Sequence, residues 1–475
     1  MYSMRMSSTL QSGVQFKAYP DRGVACALGR WIGCQRMIYN GKVSEDRLFA
    51  AQRRLEIASG NTQVRTPLDQ QYAQFKDKEL TPWLYEVPSQ ILRNGAVRWM
   101  TAKQRQLKGL ARAPRRRTRR DFRSVHITQE LFRFVQTEHG VVIELGTQKN
   151  SIGQLPFKAH RPYGLPKTII VRESAGQWFV SFSYEHTSKT VLREPHELAY
   201  ELNGLDDDAL ARVTLGIDRN VRDNFIATSA GQQFKPEAIV LARIRRKEVG
   251  AQRYQRRIAR AKHGSANRRK LIARVARKQG YARRVRNDFA HKVSYQLATS
   301  DAKFFVLEGL KIRNMTRKPK ARFDQATGKW LANGARAKAG LNRAILASCW
   351  GSIHRYLDYK AARRNKLVGL VPAAHTSLEC SHCGHIHPEN REGARFVCGR
   401  CGWKAHADEN ASRNIKARGI ERLRQGEYEA LKTKKRTALR RTKQDTTGGR
   451  PTHACESESS RPENRIERTQ DLSAA

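Results

Sequence analysis

The sequence predicts an α+β chain of several domains: a small antiparallel β domain with a helical insertion, then a mixed strand-and-helix domain interrupted by a four-cysteine ribbon. Three observations carry this. Apolar residues alternate with polar ones over 124–185, the pattern of half-buried strands. Short unbroken apolar runs at 213–217 and 304–307 read as buried strands, and an arginine-dense helical stretch lies between them. Two Cys-x-x-Cys pairs, Cys380/Cys383 and Cys398/Cys401, stand fourteen residues apart.

Taken in order, residues 15–112 read as extended chain followed by helices, and Pro88–Asn94 opens an amphipathic helix bearing Arg98 and Lys103. A basic run follows at Arg115, Arg116, Arg117, Arg119 and Arg120. Strands are expected around Val125 and Ile127, Val141–Ile143, Ile169 and Val171, and Phe179–Phe182, forming a small barrel or sandwich. The Asp- and Glu-rich segment 192–210 reads as a linker. Beyond it come strands ending at Asp218 and Glu308, a helical hairpin over 239–299 broken near Gly264, one helix over 335–365, and a strand at 367–371. A last helix starts near Asp408, and the tail beyond 432 has no apolar periodicity, which predicts disorder. The expected domains are 1–40 with 112–195 (β domain), 41–111 (helical insertion), 211–375 with 404–425 (mixed domain), 376–403 (ribbon) and 426–475 (basic tail).

The 475 residues suffice for two or three ordinary domains, and 39% hydrophobic content supports a folded chain. A formal charge of +48 works against compaction unless a polyanion offsets it, so nucleic acid is the expected partner class. Charge alone also fits a ribosomal or chromatin packing protein, so it names the partner class and not the activity. No run approaches a membrane span or a signal segment, so a soluble, cytoplasmic and nucleoid-associated protein without a membrane partner is expected. Four of the eight cysteines, Cys26, Cys34, Cys349 and Cys455, are scattered.

The clustered four place their thiolates around one tetrahedral Zn²⁺, each pair followed by a glycine (Gly384, Gly402) that permits the tight knuckle. Four cysteines complete the shell, so His382, His385 and His387 are not needed as ligands, and the ion is structural. Two-metal phosphodiester hydrolysis needs carboxylates converging on two ions roughly 4 Å apart, and Mg²⁺ prefers such oxygen ligands. In a ribonuclease H-like fold one carboxylate sits on the first strand, one ends the fourth strand and one begins a late helix. Asp218, Glu308 and Asp408 offer that order. Singly, each reads as a turn residue or helix cap.

These residues carry a resemblance. Gly216-Ile217-Asp218, Leu307-Glu308-Gly309-Leu310, the ribbon opening 376–384, and the stretch from His406 to Ile415 resemble the motifs of TnpB, the nuclease of bacterial insertion sequences also labelled OrfB, a relative of compact type V CRISPR effectors. Tyr19-Pro20, Arg36–Asn40, Pro88–Asn94, 265–269 and 284–292 extend it over about residues 15–420. The resemblance implies a RuvC nuclease domain, a wedge-like barrel with a helical recognition domain, a guide RNA, and double- and single-stranded DNA as partners, one protein monomer per guide. It implies that Asp218, Glu308 and Asp408 hold two Mg²⁺ ions and cut DNA beside a short flanking motif. Arg115–Arg120, Arg268, Arg269, Arg400 and Lys404 become expected nucleic-acid contacts, and Asn414 is expected to orient the last helix. Two departures stand out: Asn220 where the family often has glycine, a residue tolerant of positive φ, and Gly309 after the second acid. Three other readings remain open: a CRISPR-associated effector of the same superfamily, a nuclease-silent guided repressor, and a true strand-joining transposase.

Overall fold

The computed structural model describes residues 8–60, 65–119, 121–138, 140–188, 191–221 and 225–427. Arg120 and the tail from 428 onward, both subjects of expectations above, lie outside them.

The first region contains β1 (Ser8–Ala18), α1 (Arg22–Ala58), α2 (Ser89–Leu107), β2 (Ser124–Thr128), β3 (Phe132–Thr137), β4 (Gly140–Gly146), β5 (Ser151–Lys158), β6 (Thr168–Ser174) and β7 (Gln177–Ser188). The strands form one antiparallel seven-stranded sheet, ordered β2-β6-β7-β1-β5-β4-β3. The alternation behaves as expected: Val125 and Ile127 of β2, and Ile169 and Val171 of β6, are buried while their neighbours are not. Phe16 meets Phe182 edge-on at 5.4 Å between ring centroids, and Phe134 meets Phe182 at 5.5 Å, a geometry that favours aromatic quadrupoles. One boundary moves. The helix begins at Arg22, inside the span 1–40 given to the β domain, because the Asp21 carboxylate accepts from Val24 N at 2.7 Å and caps it. From there Val24, Leu28, Trp31, Ile32 and Ile38 enter the same core as the sheet. Gln35 of α1 and Arg98 of α2 bond to β2 at His126 O (2.6 Å) and Ser124 O (2.8 Å), fixing both helices on it.

The linker expected at 192–210 is instead two helices, α3 (Pro195–Asn203) and α4 (Asp207–Val213). Its acidic residues are helix caps: Glu194 and Glu197 form a capping box, and Asp206 accepts from Ala209 N. Leu198, Leu202 and Leu210 were too few to reveal a periodic face, yet they are buried, with Leu202 and Leu210 packing with Phe304 and Val306.

The second sheet contains β8 (Thr214–Asp218), β9 (Ile226–Thr228), β10 (Gln233–Phe234), β11 (Phe304–Glu308) and, after several insertions, a last strand at Leu367–Val371. Between β10 and β11 run α5 (Ala238–Arg260) and α6 (Ala266–Thr299), a hairpin broken at Gly264 as its sequence implies. After β11 come α7 (Ile312–Met315), a small hairpin β12 (Arg322–Asp324) and β13 (Lys329–Leu331), α8 (Ala335–Ala347), α9 (Trp350–Ala362) and β14, the Leu367–Val371 strand. The single helix expected over 335–365 is therefore two, divided at Cys349, whose φ of 63° leaves the helical region. The sheet order is β10-β9-β8-β11-β14, with β8, β11 and β14 parallel and β9 and β10 antiparallel. All five residues of β8 and of β11 are buried, which explains their unbroken apolar character. On one face Val293 and Leu297 of α6 and Ile353 and Leu357 of α9 pack against Ile217, Phe305 and Leu307.

The described residues end with β15 (Arg391–Glu392), β16 (Arg395–Val397), β17 (Lys404–His406) and α10 (Ala407–Arg424), the three strands forming an antiparallel sheet. Helix α10 lies against β8 and β11. A Cβ on Gly216 would run into Ser412 O and stand 2.7 Å from Lys416 N, and a Cβ on Gly419 would meet the Val306 side chain. Two glycines thus let the last helix approach the sheet and set the depth at which its first turn sits. Among the described residues, no helix is long and apolar enough to cross a membrane.

Candidate functional site

The three acids arrive from three elements. Ile217 of β8 is in register with Leu307 of β11, so the next residues, Asp218 and Glu308, end parallel neighbouring strands at the same edge. Asp408 lies in the first turn of α10, where His406 Nδ1 accepts from Asp408 N at 3.2 Å and caps the helix. All three are buried, with relative exposures of 8%, 7% and 1% for Asp218, Glu308 and Asp408.

Their fields overlap. The Asp218 carboxyl is pushed up to about 7, first by burial, then by Glu308, then by Asp408, against weaker opposing effects of the Arg219 N–H and of Arg391. Arg219 and Arg391 offset this charge only in part, since burial and the neighbouring acids still dominate at Asp218. Asp408 Oδ2 in addition has no hydrogen-bond partner among the described residues. The donor set fits hard divalent cations, which accept carboxylate oxygens and relieve like-charge repulsion. The other oxygens are oriented by groups that were not expected to bond the acids. Asn220 Nδ2 donates to Asp408 Oδ1 at 2.7 Å, and Thr376 Oγ1 donates to Glu308 Oε1 at 2.6 Å. Arg391 of the ribbon stands 3.7 Å from Asp408 Oδ1. Trp350 Nε1 donates to Asn220 O and Phe225 O, both at 3.2 Å, and so pins the loop after β8. Asn220 is not among the non-glycine residues with positive φ, which are Ala175, Cys349, Asn365 and His375 in the described chain. The expectation that it serves a left-handed turn is corrected: its side chain bonds an acid. Gly309 continues the strand edge, its N–H donating to Val371 O at 2.8 Å.

The cysteine cluster assembles as its spacing implies. The four sulfurs of Cys380, Cys383, Cys398 and Cys401 lie within 4.8 Å of one another, with Cys380–Cys401 at 3.7 Å and Cys383–Cys398 at 3.6 Å. A tetrahedron with Zn–S bonds of ~2.3 Å has edges of ~3.8 Å, so the group fits one such ion. Gly384 and Gly402 both take φ of 73° and close the two knuckles. Among the described residues no other His, Cys, Asp or Glu group gathers this tightly. His382 stacks on Trp403 with 5.4 Å between ring centroids and takes no place among the sulfurs.

Ribbon and helix are bonded together. Asn414 Nδ2 donates to Thr376 O (3.0 Å) and Glu379 O (2.7 Å), and Asn410 Nδ2 donates to Glu379 O while its Oδ1 accepts from Ser381 N. Asn414 thus orients α10, as expected.

The basic residues divide. Arg115, Arg116 and Arg119 are exposed on the segment between α2 and β2, and Arg117 is half-buried, its backbone clasped by the Asn40 amide at 2.7 and 2.9 Å. Arg269, Arg400 and Lys404 are exposed. Arg268 is engaged inside the α5–α6 hairpin, donating to Ile258 O and Ala261 O, so its guanidinium closes the turn.

Residues 184–318 match the family model described as OrfB_IS605, "Probable transposase", and residues 350–415 match "Cas12f1-like, TNB domain". Over these two segments the chain is similar to the OrfB family and to Cas12f1-like proteins. The chain is 28% identical over 421 residues to "Putative RNA-guided DNA endonuclease InsQ" of Escherichia coli (strain K12), covering 87% of this chain and 93% of that protein. A Streptomyces pristinaespiralis protein described as "Putative RNA-guided DNA endonuclease" is 26% identical over 424 residues, covering 87% of this chain and 91% of that protein. Over 72 residues, 15% of this chain and 17% of the other, it is 39% identical to the Cas12f1 endodeoxyribonuclease of Sulfoacidibacillus thermotolerans. Among solved structures, a Cas12f1–guide RNA–target DNA complex aligns over 86% of this chain and 99% of that one, with 11% identity and a TM-score of 0.43.

Proposed function

We propose that the chain is an RNA-guided DNA endonuclease that cuts double-stranded DNA beside a short flanking motif, with one RuvC-type site made by Asp218, Glu308 and Asp408. The observation that carries this reading is the meeting of the three buried acids at one edge of the sheet, beside the ribbon. The order of the five core strands, with an acid ending the first and the fourth in chain order, supports the ribonuclease H-like assignment. The seven-stranded sheet is read as the wedge-like barrel and α1 with α2 as the helical recognition part.

Two Mg²⁺ ions, when bound, would activate a water for in-line attack and stabilise the departing 3′ oxygen. Asp218, whose carboxyl feels the charge of both Glu308 and Asp408, would hold the ions together with those two acids. Asn220 turns Asp408, and Thr376 turns Glu308, so that each acid keeps an oxygen for a cation. Burial of all three excludes bulk water and strengthens each charge interaction. Cys380, Cys383, Cys398 and Cys401 hold one structural Zn²⁺, and the exposed arginines engage phosphates of the guide RNA and of the DNA.

The test is RNA dependence. Protein purified with its RNA is expected to cut, in Mg²⁺, only DNA that contains a segment complementary to that RNA. Cutting that continues after the RNA is digested away, or products joined strand to strand, would exclude the reading.

A further inference from the structure

A second feature lies at the opposite end of the α/β sheet. Helix α6 leads into the N-terminal end of β11, and α9 into that of β14, whereas the acids end β8 and β11 at their C-terminal edge. Trp350, at the start of α9, reaches the loop beside Asp218, while Tyr359 and Lys360 stand nine and ten residues further along the helix. At 1.5 Å per residue this is ~14 Å away along its axis. There the last turn of α9 and the second half of α6, from Arg283 to Tyr295, line a cleft of about 680 Å³ together with the β5–β6 connection and residues of β1, β6 and β7.

The cleft combines exposed rings with cations. Tyr295 is 55% exposed and Tyr359 39%, high values for large rings on packed helices. Lys360 Nζ lies 5.9 Å and Arg364 Cζ 5.5 Å from the Tyr295 ring centroid. Lys360 is fixed by donating to His291 O at 2.7 Å and Ser294 Oγ at 2.8 Å. Among the described residues lining the cleft, Asp288 is the carboxylate, and Lys292 already pairs with it at 3.0 Å. The cations therefore burden each other. The Lys360 ammonium is pushed down to about 8 by burial, then by Arg364 and Arg161, and His291 is lowered by burial, then by Lys360 and Arg161. An anion placed here would relieve that repulsion, and the exposed rings offer flat apolar surface beside it. Cation plus aromatic face is the chemistry that holds an unpaired nucleotide by phosphate and base together.

We infer that this cleft seats an unpaired nucleotide of the guide RNA, its base against Tyr295 and Tyr359 and its phosphate between Lys360 and Arg161. The inference rests on the guided-nuclease reading, and the site's distance from the acids selects RNA over DNA. A strand that is to be cut must reach Asp218, whereas a strand held at the far end of the sheet is kept away from it.

The test uses the full chain purified with its RNA, crosslinked at 254 nm and mapped by mass spectrometry, alongside the variant Tyr295→Leu/Tyr359→Leu with its melting temperature. The expected result is an RNA crosslink at Tyr295 or Tyr359, and a loss of RNA affinity of about tenfold or more in a variant that melts as the wild type does. Should the double leucine variant melt early, Lys360→Met, which leaves the rings in place, is expected to give the same loss. RNA bound at wild-type affinity by a folded variant, or a crosslink to DNA instead of RNA at these tyrosines, would overturn the seat while leaving the guided-nuclease reading intact. A wild-type chain that retains no RNA would overturn both.

Discussion

Asn220 donates from Nδ2 to Asp408 Oδ1 at 2.7 Å, joining the end of the first core strand to the start of the last helix across 188 residues of sequence. Through this bond the loop after Asp218, itself pinned by Trp350, sets the orientation of the third acid. Asn220→Ala removes the donor and leaves fold, zinc content and RNA binding in place. Mg²⁺-dependent cleavage is expected to fall by about ten- to a hundredfold, since one hydrogen bond to a charged group contributes ~1.5–3 kcal/mol. Initial cleavage rates at saturating guide measure this.

Helix α10 reaches its depth because Gly216 has no side chain. Gly216→Val would force the Ser412 and Lys416 backbone outward, and it is expected to lower stability by ~3 kcal/mol, the upper range for overpacking. Gly29, inside α1 with nothing within 4 Å of an added Cβ, provides the contrast. Gly29→Ala is expected to raise stability by ~0.5–1 kcal/mol through the lower entropy of the unfolded chain. Urea denaturation of both variants gives the two values.

The ribbon holds the start of α10 through Asn410 and Asn414. Elemental analysis is therefore expected to find one zinc per chain, and Cys398→Ser to lose it. The same variant should lose cleavage, because Asp408 stands seven residues beyond the last cysteine and takes its position from the ribbon. Full cleavage by zinc-free protein would show that α10 holds Asp408 unaided.

Much of this was legible in the sequence. Buried strands announce themselves as unbroken apolar runs, so β8 and β11 and the acids that end them could be placed without coordinates. The cysteine pairs encode their own geometry, because four thiolates at that spacing have one compact solution. What the sequence concealed is of two kinds. Helices α3 and α4 are short, and their acidic caps resemble linker composition; only the few buried leucines distinguish them. Thr376, Arg391 and Trp350 reach the site through contacts with residues far away in sequence, and no local pattern marks a threonine as the partner of Glu308. Asn220 carried a signal, a departure from glycine at a motif position. That signal pointed to backbone conformation, whereas the side chain supplies the bond.

The most direct measurement is Mg²⁺-dependent cleavage of matched double-stranded DNA by the RNA-bound wild type and by Asp218→Ala. The wild type should cut both strands, and the variant should bind the same RNA and the same DNA while its cleavage falls at least a thousandfold, to background. Cleavage by Asp218→Ala at the wild-type rate would contradict the assignment of the site.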